Sequence, residues 1–148
     1  MSEQSNKMYT VWNQNAKGNG NIQSKNLNVR IAIPTSKGGS GEGAEPKQLL
    51  IAAAVACFTT TLAYLLDRSG IPVVELNVET DSSTPNGVNN LSIIHLPQIV
   101  LQPDASQEDI DKTDTLILQA EEQCHIGQLL IKAGLSVSVK GRVTIKDA

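Results

Sequence analysis

The sequence has few aromatic residues and no excess of positive charge. Aromatic side chains make up 3% of its 148 residues, and the formal net charge is −3. Nucleic-acid-binding proteins usually present a basic surface, often with aromatic side chains that stack on bases, so we predict no nucleic-acid partner. The N-terminal segment MSEQSNK lacks the apolar run of a secretory signal, and we therefore expect a cytoplasmic protein.

Cysteine and histidine are equally scarce, with two of each at Cys57, His95, Cys124 and His125. Their spacing matches no zinc finger, so we predict no metal site. No C-x-x-C motif is present, which disfavours a thioredoxin-like site. Two cysteines in a cytoplasmic protein are more typical of free thiols or a redox pair than of a structural disulfide.

The longest apolar stretch, residues 45–70, predicts one long helix with Cys57 in its middle. Pro46 suits the first helical position, and Gly70 is the residue type that usually follows a helix end. Every residue from Leu49 to Phe58 is apolar, which predicts a helix buried on all sides. A buried Cys57 could be a plain core residue, and a reactive thiolate there would need a nearby cation.

A membrane span is the alternative for this helix, because no charge lies between Lys47 and Asp67. That run just reaches the lower length limit of about 18 residues for a transmembrane helix. Its alanines and threonines make it weakly hydrophobic, and no basic loop marks a cytoplasmic side. We therefore predict a core helix and no membrane partner. The segment KGGSGEG before the helix lacks the Gly-Lys-Ser/Thr of a phosphate-binding loop and predicts a plain connection.

In the remaining segments, apolar residues recur at every second position, as in a half-buried strand, or at every third or fourth position, as in a helix. Because they show no regular strand–helix alternation, we predict an α+β fold with antiparallel sheets. We also predict a single domain, residues 1–148, in which residues 1–7 form a flexible tail. Pro97 suggests an edge strand or a bulge. The predicted strands cover residues 9–12, 27–33, 74–79, 91–101 and 135–145, and the further helices begin at Ser106 and Ile126.

Two segments together resemble the OsmC/Ohr family, the osmotically inducible and organic hydroperoxide resistance proteins. They are GEGAEPKQLLIAAAVACF, residues 41–58, and AEEQCHIGQLL, residues 120–130. The resemblance implies an OsmC-like fold in an intertwined homodimer. It also implies a peroxidase that needs no cofactor, with Cys57 as the peroxidatic and Cys124 as the resolving cysteine. The substrate would be an organic hydroperoxide, and a dithiol of lipoyl type would reduce the resulting disulfide.

The chain departs from the family pattern at the residues that activate the thiol. The family has an arginine in an early turn and a glutamate just after the helix-opening proline, where this chain offers Lys17 and Lys47. Lys17 is therefore only a candidate cation, and His125 stands where relatives often have proline. These departures leave two alternatives open: a non-catalytic or specialised member that binds a small apolar ligand, and a structural dimer with inert thiols.

Overall fold

A computed structural model describes residues 7–85 and 90–148 of the chain. These residues form two compact units, Met1–Leu50 and Ile51–Ala148, which we describe separately. Of the predicted tail, only Lys7 belongs to the described residues, where it is exposed and outside regular structure. The single-domain organisation and the tail stay predictions.

The first unit contains a three-stranded antiparallel sheet in the order β1-β2-β3. Its strands are β1 Tyr9–Asn13, β2 Asn19–Ser24 and β3 Leu27–Ile31. The sequence predicted β1 and β3 but placed the start of β2 in a turn, because its residues, NGNIQS, are mostly turn formers. They form a strand because both neighbours pair with them. Ser40 Oγ in the following loop donates to the Gly18 carbonyl at 3.0 Å, which ties the loop to the β1–β2 turn.

The long helix α1, Pro46–Arg68, begins and ends close to its predicted limits and passes from the first unit into the second. The Glu45 N–H donates to Gln48 Oε1 at 3.0 Å, which satisfies one of the free donors at its start. Gly70 follows the helix with a φ of 66°, a conformation that glycine adopts without strain.

The prediction that α1 is buried on all sides is not met within one chain. Its buried residues form a single stripe spaced four residues apart: Ala54, Phe58, Leu62 and Leu66. Length and composition alone would also let α1 cross a membrane, and it is the one helix with that property among the described residues. Its buried stripe instead contributes to the core of the second unit.

The second unit is built on a mixed sheet around β5. Strand β4, Val73–Ser83, pairs with β5, Ser92–Leu101, in antiparallel fashion. The predicted final strand is instead two short strands, β6 Ser136–Val139 and β7 Arg142–Ile145, which both pair with β5 in parallel. The α+β class with antiparallel sheets is confirmed, and β6 and β7 add the parallel pairs.

Pro97 lies in the central strand of this sheet, so the prediction of an edge or bulge was wrong. The reason is the break between β6 and β7. Strand β6 pairs with β5 up to His95, and β7 begins pairing at Gln98, so Pro97 falls opposite the break at Lys140–Gly141. A proline without an N–H is tolerated there because no ladder hydrogen bond is required from it.

Two helices cover the second unit's core: α2, Gln107–Gln123, and α3, His125–Lys132. Ser106, the predicted start of this helix, forms a reciprocal capping box with Asp109. The residues that α2 buries recur at helical spacing: Thr113, Leu116, Ile117 and Ala120. The buried core combines residues of α1, β5, α2 and the α2–α3 junction, including Phe58, Leu62, Leu66, Ile99, Leu101, Leu116, Ile117, Ala120 and Cys124.

Candidate thiol site

The fold of the second unit brings the two cysteines into contact. Cys57 lies in the middle of α1, and Cys124 occupies the junction where α2 ends and α3 begins. Both are free thiols, and Cys57 packs against the buried core cluster that contains Cys124. Cys124 is 2% exposed, whereas Cys57 is only half-buried. Cys57 is therefore the thiol that a substrate can reach.

Cys124 is held in place from both sides. Its Sγ accepts a hydrogen bond from the Gly127 N–H at 3.4 Å, as the N-cap of α3, and lies 3.9 Å from the Ala54 carbonyl oxygen. A Cβ on Gly127 would lie 3.3 Å from the same sulfur, closer than is comfortable. The glycine therefore leaves room for the thiol beneath the first turn of α3.

The surroundings of Cys57 favour its thiolate. Burial raises the pKa of Cys57, but four neighbouring polar groups act against burial and hold the pKa below its ordinary value. The groups that lower this pKa, from the strongest to the weakest, are the Ile126 N–H, the Cys124 thiol, the His125 N–H and the Thr61 hydroxyl. Three of these four belong to Cys124 and the start of α3.

Cys124 behaves in the opposite way. Burial raises the pKa of Cys124 to about 11, the Gly127 N–H opposes that rise only in part, and the neighbouring Cys57 adds to it. Cys124 therefore stays a neutral thiol at physiological pH, with a proton that it can donate to Cys57. The pair combines an activated nucleophile with a protonated second thiol, which is an arrangement suited to oxidation followed by disulfide formation.

Sequence reasoning found the two cysteines but missed the groups that act on them. The N–H groups of His125 and Ile126 carry no side-chain signature, so no residue pattern could identify them. Thr61 had a weak signal, as a threonine four residues after Cys57 on the same helix. Its Oγ1 donates to the Cys57 carbonyl at 2.7 Å, the usual bond of a helical threonine to the preceding turn.

The candidate cation Lys17 lies in the first unit, in the turn between β1 and β2. Its side chain is exposed, and its N–H donates to Asn15 Oδ1 at 2.9 Å. Lys47 is also exposed, in the first turn of α1. The contribution of Lys17 to the thiol site stays a prediction.

The two histidines lie in different settings. His95 is 1% exposed, and its ring stacks on Phe58 with the centroids 4.9 Å apart. Its Nδ1 lies 2.9 Å from Thr80 Oγ1, and burial lowers its pKa, so the ring is neutral. His125 is exposed at the start of α3, and only its main chain acts on Cys57. Across residues 7–85 and 90–148, no three histidine, cysteine or acidic side chains gather into a possible metal site.

The first unit has an apolar groove of about 460 Å³. It lies between the sheet and the start of α1 and is lined by Trp12, Ile22, Ile31, Ala32, Ile33, Pro34, Lys37, Ala44, Pro46 and Leu49. Lys37 is the one charged residue in this lining. The groove could accept a small apolar molecule by burial of hydrocarbon surface.

Known proteins resemble this chain in both sequence and structure. The family model for OsmC-like proteins matches residues 39–140. The uncharacterized protein YmaD of Bacillus subtilis (strain 168) is 36% identical over 135 residues, which cover 87% of this chain and 90% of YmaD.

Three solved structures illustrate the structural likeness. An OsmC-like protein from Mycoplasma pneumoniae has a TM-score of 0.71 at 16% identity, covering 97% of this chain and 99% of its own. An organic hydroperoxide resistance protein from Elizabethkingia anophelis has a TM-score of 0.63 at 20% identity, and the match covers 100% of both chains. The organic hydroperoxide resistance protein OhrB of Bacillus subtilis has a TM-score of 0.58 at 19% identity. The match covers 92% of this chain and 98% of OhrB. At these identities the likeness establishes a shared fold.

Proposed function

Because this chain belongs to the OsmC family, we propose that it is a thiol-dependent peroxidase that reduces organic hydroperoxides through Cys57 and Cys124. The observation that carries the proposal is the contact between a half-buried thiol with a lowered pKa and a buried thiol with a raised one. The fold is also that of proteins named for organic hydroperoxide resistance, which supports the same class of substrate.

In the first step, the Cys57 thiolate attacks the terminal oxygen of the hydroperoxide. An S–O bond forms as the O–O bond breaks, so Cys57 is oxidised to a sulfenic acid while the hydroperoxide is reduced. The departing alkoxide takes a proton and leaves as the alcohol. The Cys124 thiol, which burial keeps protonated, can supply this proton, and solvent can return one to Cys124.

In the second step, the Cys124 sulfur attacks the sulfenic sulfur. A disulfide forms, the S–OH bond breaks, and the hydroxyl leaves as water with the thiol proton. Disulfide geometry requires Cα atoms within about 7 Å, which two thiols packed in one core cluster can approach with small backbone movement. A dithiol reductant of lipoyl type then restores both thiols by exchange.

The residues around the site favour apolar hydroperoxides. Cys57 packs against a core cluster of aliphatic and aromatic side chains that includes Phe58 and Leu62. An alkyl or aryl hydroperoxide gains free energy by burying hydrocarbon near such a surface, whereas hydrogen peroxide has none to bury. The thiol chemistry calls for no metal or cofactor. Lys17 is the side-chain cation that we propose assists Cys57.

We also propose that two copies of the chain form a homodimer in the cytoplasm. Alanines along α1, among them Ala52, Ala53, Ala56 and Ala63, are exposed in the single chain although the helix is apolar nearly throughout. Small side chains allow a second helix to approach closely, so a second copy can cover this surface. Sedimentation velocity at micromolar concentration should show a dimer, and a folded monomer would contradict this part of the proposal.

The central experiment is the turnover of cumene hydroperoxide with dihydrolipoamide as reductant. We expect loss of the hydroperoxide, formation of cumyl alcohol, and a Cys57–Cys124 disulfide when the reductant is omitted. Peptide mapping by mass spectrometry identifies the disulfide. Sulfinic acid on Cys57 with Cys124 still reduced at equimolar peroxide would argue against a resolving role for Cys124.

Binding of a small apolar ligand is a second candidate function, favoured by the groove of the first unit. Trp12 lines this groove and is the sole tryptophan of the sequence, so its fluorescence reports on an occupant. A saturable change in Trp12 emission with a fatty acid, together with no turnover of cumene hydroperoxide, would favour ligand binding over the peroxidase proposal.

A further inference from the structure

The junction between α2 and α3 is a single residue, Cys124. Helix α2 ends at Gln123 and α3 begins at His125, so Cys124 is the C-cap of one helix and the N-cap of the other. Its backbone is extended, with φ −70° and ψ 103°. Rotation about this one residue changes the angle between the two helices and moves the Cys124 sulfur. The position of the sulfur therefore depends on what fixes the junction.

One residue of α3, Gln128, bonds to the chain on both sides of Cys124. Its main-chain N–H donates to the Cys124 carbonyl at 2.9 Å. Its side-chain Nε2 donates to the carbonyl of Glu121, in the last turn of α2, at 3.2 Å. Gln128 is half-buried, which shields this second bond from water. Because the second bond crosses the junction, it links the two helices directly.

The carbonyl that receives this bond is one of those that a helix leaves without an intrahelical partner at its end. The Glu121 carbonyl also accepts from the Cys124 N–H at 3.2 Å. The last turn of α2, residues 120–123, contains no basic side chain that could bond to it instead. Within residues 7–85 and 90–148, Gln128 is the one side chain that donates to this carbonyl.

In this arrangement the sulfur of Cys124 faces α1. Its Sγ lies 3.9 Å from the carbonyl oxygen of Ala54, which precedes Cys57 by about one turn of the same helix. Cys57 packs against the core cluster that contains Cys124. Disulfides form over a narrow range of distances and dihedral angles. A small change in the angle of the junction is therefore enough to alter how readily the two sulfur atoms bond.

We propose that Gln128 is a positioning residue, whose side-chain bond to the Glu121 carbonyl fixes the α2–α3 junction and holds the Cys124 sulfur where it can bond to Cys57. The role of Gln128 in turnover rests on the proposed peroxidase function. Its effect on the disulfide does not, because a disulfide can be formed and measured without peroxide.

The physical basis is the effective concentration of one thiol around the other. Two groups held in a reactive geometry combine as though one were present at high concentration near its partner. Without the bond across the junction, the two helices sample more relative orientations, and the sulfur spends less time facing α1. The net contribution of one neutral hydrogen bond corresponds to about a fivefold change in such an equilibrium.

The decisive variant is Gln128→Met, with Gln123→Met as its matched control. Methionine keeps the unbranched side chain of glutamine at a similar length but has no N–H to donate. Gln123 is exposed at the end of α2, so Q123M makes the same replacement without removing the bond across the junction. The pair therefore separates loss of the bond from introduction of a methionine.

The readout is the equilibrium in which the reduced protein and oxidised glutathione exchange to give the Cys57–Cys124 disulfide and two molecules of reduced glutathione. Acid quenching and mass spectrometry measure both forms of the protein. We expect the equilibrium constant for disulfide formation to fall about fivefold in Q128M and to stay within about twofold of native in Q123M. The proposal is overturned if Q128M forms the disulfide as readily as Q123M. Lower stability of Q128M to urea without a change in this equilibrium would also overturn it, because Gln128 would then support the fold alone.

A measurement on the native protein keeps the proposal testable if Q128M does not fold. In ¹H–¹⁵N spectra of the reduced protein, the Nε2 hydrogens of Gln128 should exchange with solvent at least about tenfold more slowly than those of Gln123, because a half-buried hydrogen bond must open before exchange. Equal exchange rates would show that the bond across the junction is not formed and would contradict the proposal.

The two proposals fail in different ways. If the native protein does not turn over cumene hydroperoxide but Q128M forms the disulfide less readily than Q123M, the peroxidase function is wrong and the positioning role of Gln128 stands. If turnover is present but the two variants share one equilibrium constant, the role of Gln128 is wrong and the peroxidase function stands.

Discussion

Cys57 and Cys124 pack in the same core cluster but differ in what surrounds their sulfur atoms. Cys57 is half-buried, and neighbouring polar groups hold its pKa below the ordinary value despite burial. Cys124 is almost fully buried and receives the Gly127 N–H, and burial raises its pKa to about 11. Burial acts on both thiols in the same direction, so the donors produce the difference between them.

This comparison shows how two neighbouring thiols can take different chemical roles. Buried thiols without polar neighbours would both remain protonated and unreactive. Here the pKa of Cys57 is lowered and that of Cys124 is raised, so the thiols become unequal. The half-buried member of the pair gains the thiolate, and the buried member keeps its proton for the second step.

The largest expected effect comes from removing the nucleophile. Cys57→Ser should lower cumene hydroperoxide turnover by at least about a thousandfold, because a serine hydroxyl without a strong base is a far weaker nucleophile. Steady-state assays with dihydrolipoamide measure this loss. A C57S protein that retained more than a tenth of the native activity would show that the wrong thiol has been named as peroxidatic.

Removing the buried thiol should separate oxidation from resolution. Cys124→Ser keeps a donor for Cys57, whereas Cys124→Ala does not. We expect C124S to lose about a hundredfold in sustained turnover while its first oxidation, followed by stopped flow, stays within about threefold of native. C124A should react more slowly than C124S in that first step. Equal first-step rates would mean that the Cys124 donor does not matter for the thiolate.

The raised pKa of Cys124 should also appear in stability. The folded state holds this proton up to about pH 11, whereas the unfolded thiol releases it near its ordinary pKa of 9.0. The stabilisation is therefore complete below pH 9 and is lost as the pH rises to about 11, by about 3 kcal/mol. Urea unfolding of native protein and C124A should show their difference shrinking over this range. A constant difference would indicate that Cys124 ionises normally in the fold.

The smallest expected effect concerns the missing arginine–glutamate pair. Lysine lacks the planar guanidinium group with which arginine can form two hydrogen bonds at once, and Lys47 would repel a neighbouring cation. We expect Lys17→Arg with Lys47→Glu to raise the rate with an organic hydroperoxide about fivefold, more than the two single changes predict together. Stopped-flow oxidation of all four proteins measures the coupling. Additive or absent effects would mean that Cys57 is activated without these positions.

Much of the fold was predictable from local signals in the sequence. The limits of α1 follow from Pro46 and Gly70, and those of α2 from the Ser106–Asp109 capping box, because caps act within a few residues of a helix end. The buried face of α2 followed from its apolar spacing. The family resemblance then identified both cysteines.

Strand β2 and the central position of Pro97 were not predictable in the same way. The first residues of β2, Asn19 to Asn21, were predicted to form a turn, and their pairing with β1 and β3 overrides that local preference. Pro97 reads as an edge residue until the break between β6 and β7 is known. Both outcomes depend on which distant segments pair, and the residues of one strand carry little information about which strands will pair with it.

The sequence by itself determined the helices, the α+β class and the two cysteines, because side-chain spacing and caps are local properties of the chain. The tertiary structure alone decided which groups surround each sulfur. The N–H groups of His125 and Ile126 exist whatever their side chains are, and only the tertiary structure brings them near enough to Cys57 to lower its pKa. The unequal pKa values of the two thiols follow from that packing, since hydrogen bonding and burial depend on position in space.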